Sequence, residues 1–389
     1  MKKILVAVLL VLVVSIIPLL AGGAKEDAVN VGFIGPMTGD NSNYGTLISQ
    51  GARLAIEEKN AKGGIAGKIT INLKIEDSEG DAQKGLAGIE KLASSDNIVA
   101  LIGPVFTGVA FSVGDRVQNE GILMVTPSGT HKDITNIGDY VFRTVASDGL
   151  QGEVSGHYFY EKLGVRNLAV LYVKNDYSQG LYEGTKESFE SRGGKIVIAE
   201  TAQIGDKDFK TQLTKIKAAN PDAIYIPNYT AEMAQILEQA SQLGITTQFL
   251  SGDGFSNPDI YNLAPDYTDG VIYVGPTEVK ESTAFKEFVA NYTKRWGVAP
   301  DSFATNAYDA AYILFDALEK VYAKTGKFDR KAIRDAFAAT KDFRGVTGTI
   351  NFAENGDLVA YQGVYRVAGI TPKYLGAFTV VDGELVAVD

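Results

Sequence analysis

The chain has 389 residues, is 45% hydrophobic and 22% charged, carries a formal charge of −10 and contains no cysteine. That length fits two domains, at roughly 100–200 residues each, and the composition is that of an ordinary globular protein. The negative balance argues against nucleic acid or an anionic membrane as partner, and the missing thiols exclude disulfides, thiolate nucleophiles and thiolate metal sites.

The N-terminus reads as a secretory signal. Lys2 and Lys3 precede an apolar run from Ile4 to Leu20, and the small residues Ala21, Gly22, Gly23 and Ala24 follow. Residues 1–23 are therefore assigned as a signal peptide, with the cut expected after Gly23 or Ala24. The apolar run is at the short limit for a membrane span, so a retained anchor is the alternative. Leu20-Ala21-Gly22 looks like the start of a bacterial lipoprotein box, but Gly23 stands where the box needs Cys. No lipid attachment is expected.

Beyond Asp27, strand and helix patterns alternate. Val29–Ile34 reads as a first strand. A helix follows from about Tyr44 to Asn60, with Leu47, Ile48, Ala52, Ala55 and Ile56 on one face, and Lys62-Gly63-Gly64 stops it. Ile69–Ile75 is a strand, and Asp81 is a plausible cap for a helix reaching Ser94. Val99–Ile102, a helix from Thr107 to Asn119 and a strand at 122–125 complete the unit. The rhythm then restarts: a helix at 151–163, a strand at 168–173, and further helices near 181–191, 209–219 and 231–243. Strands at 196–199 and 223–226 lie between those helices. This alternation predicts doubly wound parallel sheets. The last part is mostly helical (283–296, 303–322, 330–338), and a hairpin is predicted from Gly348–Phe352 and Leu358–Val367 around Glu354-Asn355-Gly356-Asp357.

The familiar catalytic patterns are missing. The two histidines, His131 and His157, do not form an H-E-x-x-H spacing; no G-x-S-x-G elbow and no phosphate loop occur. Gly252-Asp253-Gly254 begins a G-x-G, but Asn257 replaces the third glycine. No cofactor, metal or catalytic group is expected.

What the chain does offer lies at strand exits, where open α/β sheets hold their ligands. The strand at 122–125 ends in Thr126-Pro127 and the small polar loop Ser128-Gly129-Thr130, with two hydroxyls and, by expectation, free backbone N–H groups. Other exits present Tyr44, Thr107 at a helix N-terminus, Tyr177, Tyr229 and Asp253. His131 follows the loop and is placed to touch a ligand. Each tyrosine taken alone is better read as a lobe-surface or core residue; the recurrence at successive exits is what points to a site.

The runs VGFIGPMTGDNSNYGTLISQGARLAIEEKNAKGGI (31–65), LIGPVFTG (101–108), EGILMVTPSGT (120–130), FRTVASDGLQG (142–152), NDYSQGL (175–181) and TQFLSGDGFSNPDI (247–260) resemble the periplasmic leucine/isoleucine/valine-binding proteins of ABC transporters. The resemblance extends from Val29 to near Val367. It implies two Rossmann-like α/β lobes joined by three hinge crossovers, the type I periplasmic binding protein fold. The crossings would fall near Val145, Val274 and Asn351, giving one lobe at 28–145 plus 275–351 and the other at 146–274 plus 352–389.

The resemblance also implies an amino-acid ligand. Its α-carboxylate would be held at Thr107 and the loop Ser128-Gly129-Thr130. Its ammonium would be held by the Ser128 carbonyl, the Thr130 hydroxyl and Asp253. Tyr44 would shield the side chain, and Tyr177 and Tyr229 would close from the second lobe. Many relatives have Glu at Asp253, Ala or Gly at Ser128, or a disulfide absent here, and several have Trp at Tyr44. These departures leave the ligand's side chain open. The expectation is an exported, monomeric, non-catalytic protein that delivers a branched-chain or apolar amino acid to an ABC permease. An amide, urea or aromatic acid as ligand, or a sensor role with a separate signalling partner, remain alternatives at this stage.

Overall fold

The computed structural model describes residues 28–277 and 282–388; the signal segment lies outside them. Two mostly separate sheets organise the chain. The first is wholly parallel, in the order β2 (Thr70–Asp77), β1 (Ala28–Gly35), β3 (Ala100–Ile102), β4 (Leu123–Thr126), β5 (Val141–Arg143). The second runs β15 (Glu384–Val388), β14 (Thr371–Val381), β13 (Gln362–Ala368), β10 (Ile272–Pro276), β9 (Gln248–Ser251), β8 (Ala223–Tyr225), β6 (Asn167–Val173), β7 (Lys195–Ala202). In this sheet β7, β6, β8, β9 and β10 are parallel, and β13 to β15 form an antiparallel extension.

Each sheet has a switch point. In the first, the chain runs from β1 outward to β2, then returns to β3 on the other side of β1; in the second, β6 stands between β7 and β8 in the same way. Crevices at such points, beyond the carboxyl ends of the strands, receive ligands. Helices cover both faces of the sheet centres, so central strands such as β3 and β8 are apolar and buried throughout, whereas the edge strands β2 and β7 carry charged residues. Leu168 and Val170 pack to one side of β6, and Ala169, Leu171 and Val173 to the other.

Helix α1 (Ser42–Ala61) buries the predicted face: Leu47, Ile48, Ala52, Ala55 and Ile56. It lies tightly on α10 (Ser302–Thr325). A Cβ on Gly51 would stand 2.1 Å from the Ala304 carbonyl oxygen, so only glycine permits this approach. Asp81 caps α2 (Ala82–Ser94) as expected, accepting from the Lys84 N–H at 2.9 Å. Helix α3 (Thr107–Glu120) begins where predicted. Helices α4 (Asp148–Glu161) and α5 (Asp176–Ser191) begin earlier than the apolar pattern indicates, because Ser147 and Asn175 cap them. Helices α6 (Lys210–Ala219), α7 (Thr230–Gln242) and α8 (Ile260–Leu263) accompany the second sheet. Residues of α9 (Thr283–Trp296), α10 and α11 (Arg330–Ala338) join the core of the first sheet.

The predicted hairpin is a correction. Gly348–Ile350 (β12) pairs with Phe343–Gly345 (β11), not with Leu358–Val367. Asp309 of α10 decides this register by accepting from the Val346 and Thr347 N–H groups at 2.8 and 2.9 Å and from the Thr347 hydroxyl at 2.6 Å. Only the bridge Phe352–Leu358 survives from the expected pairing, and β13 goes instead to the second sheet.

The chain passes between the sheets three times, at 144–147, after β10, and before β13. Val274 lies inside β10, so the second passage begins only at its end. Phe352 and Leu358 pack on the first core, and Asp357 pairs with buried Arg143 at 2.6 Å, so the third passage lies at 359–361.

Candidate functional site

The first sheet supplies one wall. Helix α3 starts at Thr107, its N-cap position is Phe106, and no side chain caps it. Its first N–H groups and positive dipole end are thus left to another partner. The Thr107 hydroxyl is buried and has no hydrogen-bond partner, and the same holds for Thr130.

The loop between β4 and Thr130 is shaped by Thr126, whose hydroxyl donates to the Pro104 carbonyl at 2.7 Å and accepts from the Gly129 N–H at 2.7 Å. The Ser128 N–H reaches the same oxygen at 3.4 Å, and the Ser128 hydroxyl donates to the Val105 carbonyl at 2.8 Å. The expectation of free N–H groups at Ser128 and Gly129 is therefore corrected: Thr126 uses both.

Behind the loop sits Arg143, fully buried. Its Nη1 donates to the Thr130 and His131 carbonyls at 2.8 and 2.9 Å, its Nη2 to the Lys132 carbonyl at 3.2 Å, and its Nε to Asp357. One planar fork thus fixes three consecutive carbonyls.

The second sheet supplies the facing wall. Tyr177, in the first turn of α5, donates to Asp253 at 2.7 Å and accepts from the Gly254 N–H at 3.0 Å. Gln151 of α4 accepts from the Asp253 N–H at 2.7 Å. Burial pushes the Asp253 carboxyl above its usual range, against the restraint of the Tyr177 hydrogen bond. Tyr229 stacks between Tyr177 and Phe106, with centroids at 4.9 and 4.2 Å.

Between the walls is a narrow residual cavity of about 10 Å³, lined by Tyr44, Val105, Phe106, Ser128, Tyr177, Tyr229, Asp253, Gly254 and Phe303. No lysine, arginine or histidine lines it. Six predicted residues, Tyr44, Ser128, Tyr177, Tyr229, Asp253 and the neighbouring Thr107, thus gather at one place; Gly129 and Thr130 form the loop beside it. His131 does not line the cavity. It packs edge-on against Phe111 at 5.1 Å, and its Nδ1 accepts from the Asp133 N–H.

The family profile described as periplasmic binding protein matches residues 28–369. The chain belongs to the periplasmic binding protein family. The curated relatives include a Leu/Ile/Val-binding protein of Rhizobium johnstonii, 30% identical over 85% of this chain and 89% of its own. A leucine-, isoleucine-, valine-, threonine- and alanine-binding protein of Pseudomonas aeruginosa is also 30% identical, over 85% and 87%. Among solved structures, the branched-chain amino acid transporter substrate-binding protein of Streptococcus pneumoniae in complex with isoleucine has a TM-score of 0.82 and 29% identity, covering 93% of this chain and 100% of that one. The fold is the type I periplasmic binding protein fold.

In this periplasmic binding protein the two walls touch. The Tyr44 hydroxyl reaches the Thr230 hydroxyl and the Gly254 carbonyl, both at 2.8 Å. Asn41 accepts from the Ala231 N–H at 3.2 Å and so caps α7 from the opposite wall. Asn43 donates to Asn257 at 3.0 Å, and Lys207 pairs with Asp40. The cleft is closed.

Sequence reasoning gave no role to Phe106, Thr126, Arg143, Asp148, Gln151 or Phe303. Arg143, Asp148 and Gln151 fall within the run 142–152 that carries the family resemblance, and that was the available signal.

Proposed function

We propose that this protein captures an amino acid with an apolar, branched side chain between the two walls and delivers it to an ABC permease. The observation that carries this reading is the polarity of the site. On one side stand the uncapped start of α3 and the unpartnered hydroxyls of Thr107 and Thr130; on the other stands the buried acid Asp253. Donors at one end and a carboxylate at the other suit a zwitterion. A carboxylic acid without an amine would leave Asp253 facing an empty or repelling partner. An amide or urea would not use the α3 end.

The ligand carboxylate takes hydrogen bonds from Thr107, Thr130 and the first turn of α3. The ammonium donates to Asp253 and the Ser128 carbonyl. The side chain lies among Tyr44, Phe106, Tyr229 and Phe303, apolar faces that reward burial at roughly 25 cal/mol per Å². We divide the chain at the three passages, with 28–145, 282–358 in one lobe and 148–276, 362–388 in the other. The ligand binds the lobe bearing the loop, the second lobe closes over it, and closure removes water from the charged ends. The protein acts by binding and release, as an exported monomer whose signal directs it to the periplasm. The relatives' names, which specify leucine, isoleucine and valine, support the ligand class.

Calorimetric titration of the mature protein with the twenty amino acids tests this. Saturable heats from leucine, isoleucine or valine are expected. Silence from all twenty sinks the amino-acid reading.

A further inference from the structure

Phe106 holds a position that its helix gives it no reason to hold. It is the N-cap residue of α3, with extended backbone at φ −98°, and its side chain makes no cap hydrogen bond. Helix starts favour Ser, Thr, Asp or Asn there, because a short polar side chain satisfies a free N–H. A phenyl ring does nothing for those groups. Its use lies in what the ring touches.

The ring comes from the first wall and stacks on Tyr229 of the second, with centroids 4.2 Å apart and planes at 23°. Tyr229 holds the N-cap position of α7 in the same way, with no cap bond of its own. Tyr44 meets the two rings edge-on, at 5.6 and 5.7 Å. Gly80 approaches Phe106 from another side, where a Cβ would stand 3.1 Å from the ring. Phe106 is thus packed on several sides and buried. It also forms a partition. Phe106 and Tyr229 line both the narrow cavity of the site and a second interlobe cavity of about 490 Å³.

The second cavity differs in chemistry as well as size. Asp40, Glu79, Asp81, Asp176 and Glu232 line it, with Lys174 as the cation. Lys207 pairs with Asp40 and Lys84 with Glu79, yet the acids still outnumber the lysines. The field there favours a cationic group over an anionic one.

We propose that Phe106 sets the length of side chain the site accepts: its ring, closed on Tyr229, ends the side-chain pocket and shuts off the acid-lined cavity. This rests on the amino-acid reading above. The two rings come from opposite walls, so the partition is complete only when the cleft closes. A short side chain stays behind it and lets the walls meet. A longer one meets the rings, holds the walls apart and loses the contacts of the closed state. With a smaller residue at 106 the two cavities join, and length ceases to be a bar.

The test is calorimetric titration of wild type, Phe106→Ala and Phe106→Leu with leucine, phenylalanine, arginine and glutamate. Wild type is expected to favour leucine over the other three. In Phe106→Ala leucine binds more weakly, because apolar contact is lost, and its advantage over phenylalanine should shrink by on the order of tenfold or more. Arginine should gain in the same way and glutamate should not, given the acids beyond the partition. Phe106→Leu keeps more apolar bulk, so it answers the case in which Phe106→Ala fails to fold; the same shifts should appear there, several-fold. A merely structural role would weaken every ligand together and leave the ratios unchanged. If the variants bind leucine and keep the wild-type preference over phenylalanine and arginine, the inference is wrong while the amino-acid reading stands. Equal binding of leucine and phenylalanine by wild type also overturns it, without any variant. A gain for glutamate equal to that for arginine overturns it too, because the space opened is then not the acid-lined cavity. If wild type binds no amino acid, both readings fall together.

Discussion

Thr107 and Thr130, on the wall built by the first sheet, bury hydroxyls that bond to nothing. Tyr177, Gln151, Asp253 and Gly254, on the wall built by the second, are bonded to one another through three hydrogen bonds of 2.7–3.0 Å. The first wall is incomplete without a ligand, whereas the second is organised before one arrives. Both are precise, but for different reasons. The first owes its shape to supports behind it, Thr126 and Arg143; the second owes it to contacts within the wall itself. Changes to the supports, to the unfinished groups and to the finished groups should therefore separate binding from stability.

The largest effect is expected at Arg143. Arg143→Met fills similar volume but takes one donor from each of three carbonyls and from Asp357; the Lys132 carbonyl loses the guanidinium, while the Thr130 and His131 carbonyls keep the Asp148 and Ile134 N–H groups and Asp357 keeps the Thr135 hydroxyl. Removing one partner of a buried ion pair costs about 3–5 kcal/mol, and the partial exposure of Asp357 places the expectation near the lower end. Urea unfolding reads this as a lower midpoint with an unchanged slope. A midpoint equal to that of wild type would mean that the loop holds its shape without the guanidinium.

A paired substitution addresses the walls directly. Thr107→Val removes an unpartnered hydroxyl, so stability should hold or rise slightly, while ligand affinity falls by about 1.5–3 kcal/mol through loss of a bond to the carboxylate. Tyr177→Phe removes a hydroxyl that serves both Asp253 and the Gly254 N–H. Stability and affinity should then fall together, the former by about 1–2 kcal/mol. Calorimetry and thermal unfolding of both variants give the comparison. If Thr107→Val destabilises as much as Tyr177→Phe, the two walls do not differ as described.

Strand exits were legible because a parallel sheet puts them all on one edge. Tyr44, Thr107, Tyr177, Tyr229 and Asp253 fall at strand exits by pattern, and the family resemblance implies that they share one site. Arg143 could not be placed so, because most of its acceptors are backbone carbonyls, which no side-chain spacing reveals. The C-terminal meander carried a usable signal that went unread. Asp382-Gly383, both at positive φ, turns β14 into β15 in the manner of a two-residue hairpin loop. The hairpin predicted upstream, at Gly348–Phe352 and Leu358–Val367, does not form, because Asp309 dictates another register there through a contact remote in sequence.

The smallest expected effect lies where the walls approach without sharing a ligand. Gly180 of α5 faces His131, which follows the loop of the first wall. A Cβ on Gly180 would stand 2.3 Å from His131 Cδ2. The obstacle is a side chain rather than backbone, so it yields, but only by moving a ring already packed on Phe111. Overpacking of this kind costs about 1 kcal/mol or somewhat more. The cost applies to the closed state, since the contact spans the two walls. Gly180→Ala should therefore weaken ligand binding several-fold and leave the unfolding of the free protein nearly unchanged, because Ala suits a helix better than Gly. Small-angle scattering with saturating ligand should still show closure. A Gly180→Ala protein that binds as tightly as wild type would show that His131 moves aside freely, and that close approach at α5 places no demand on closure.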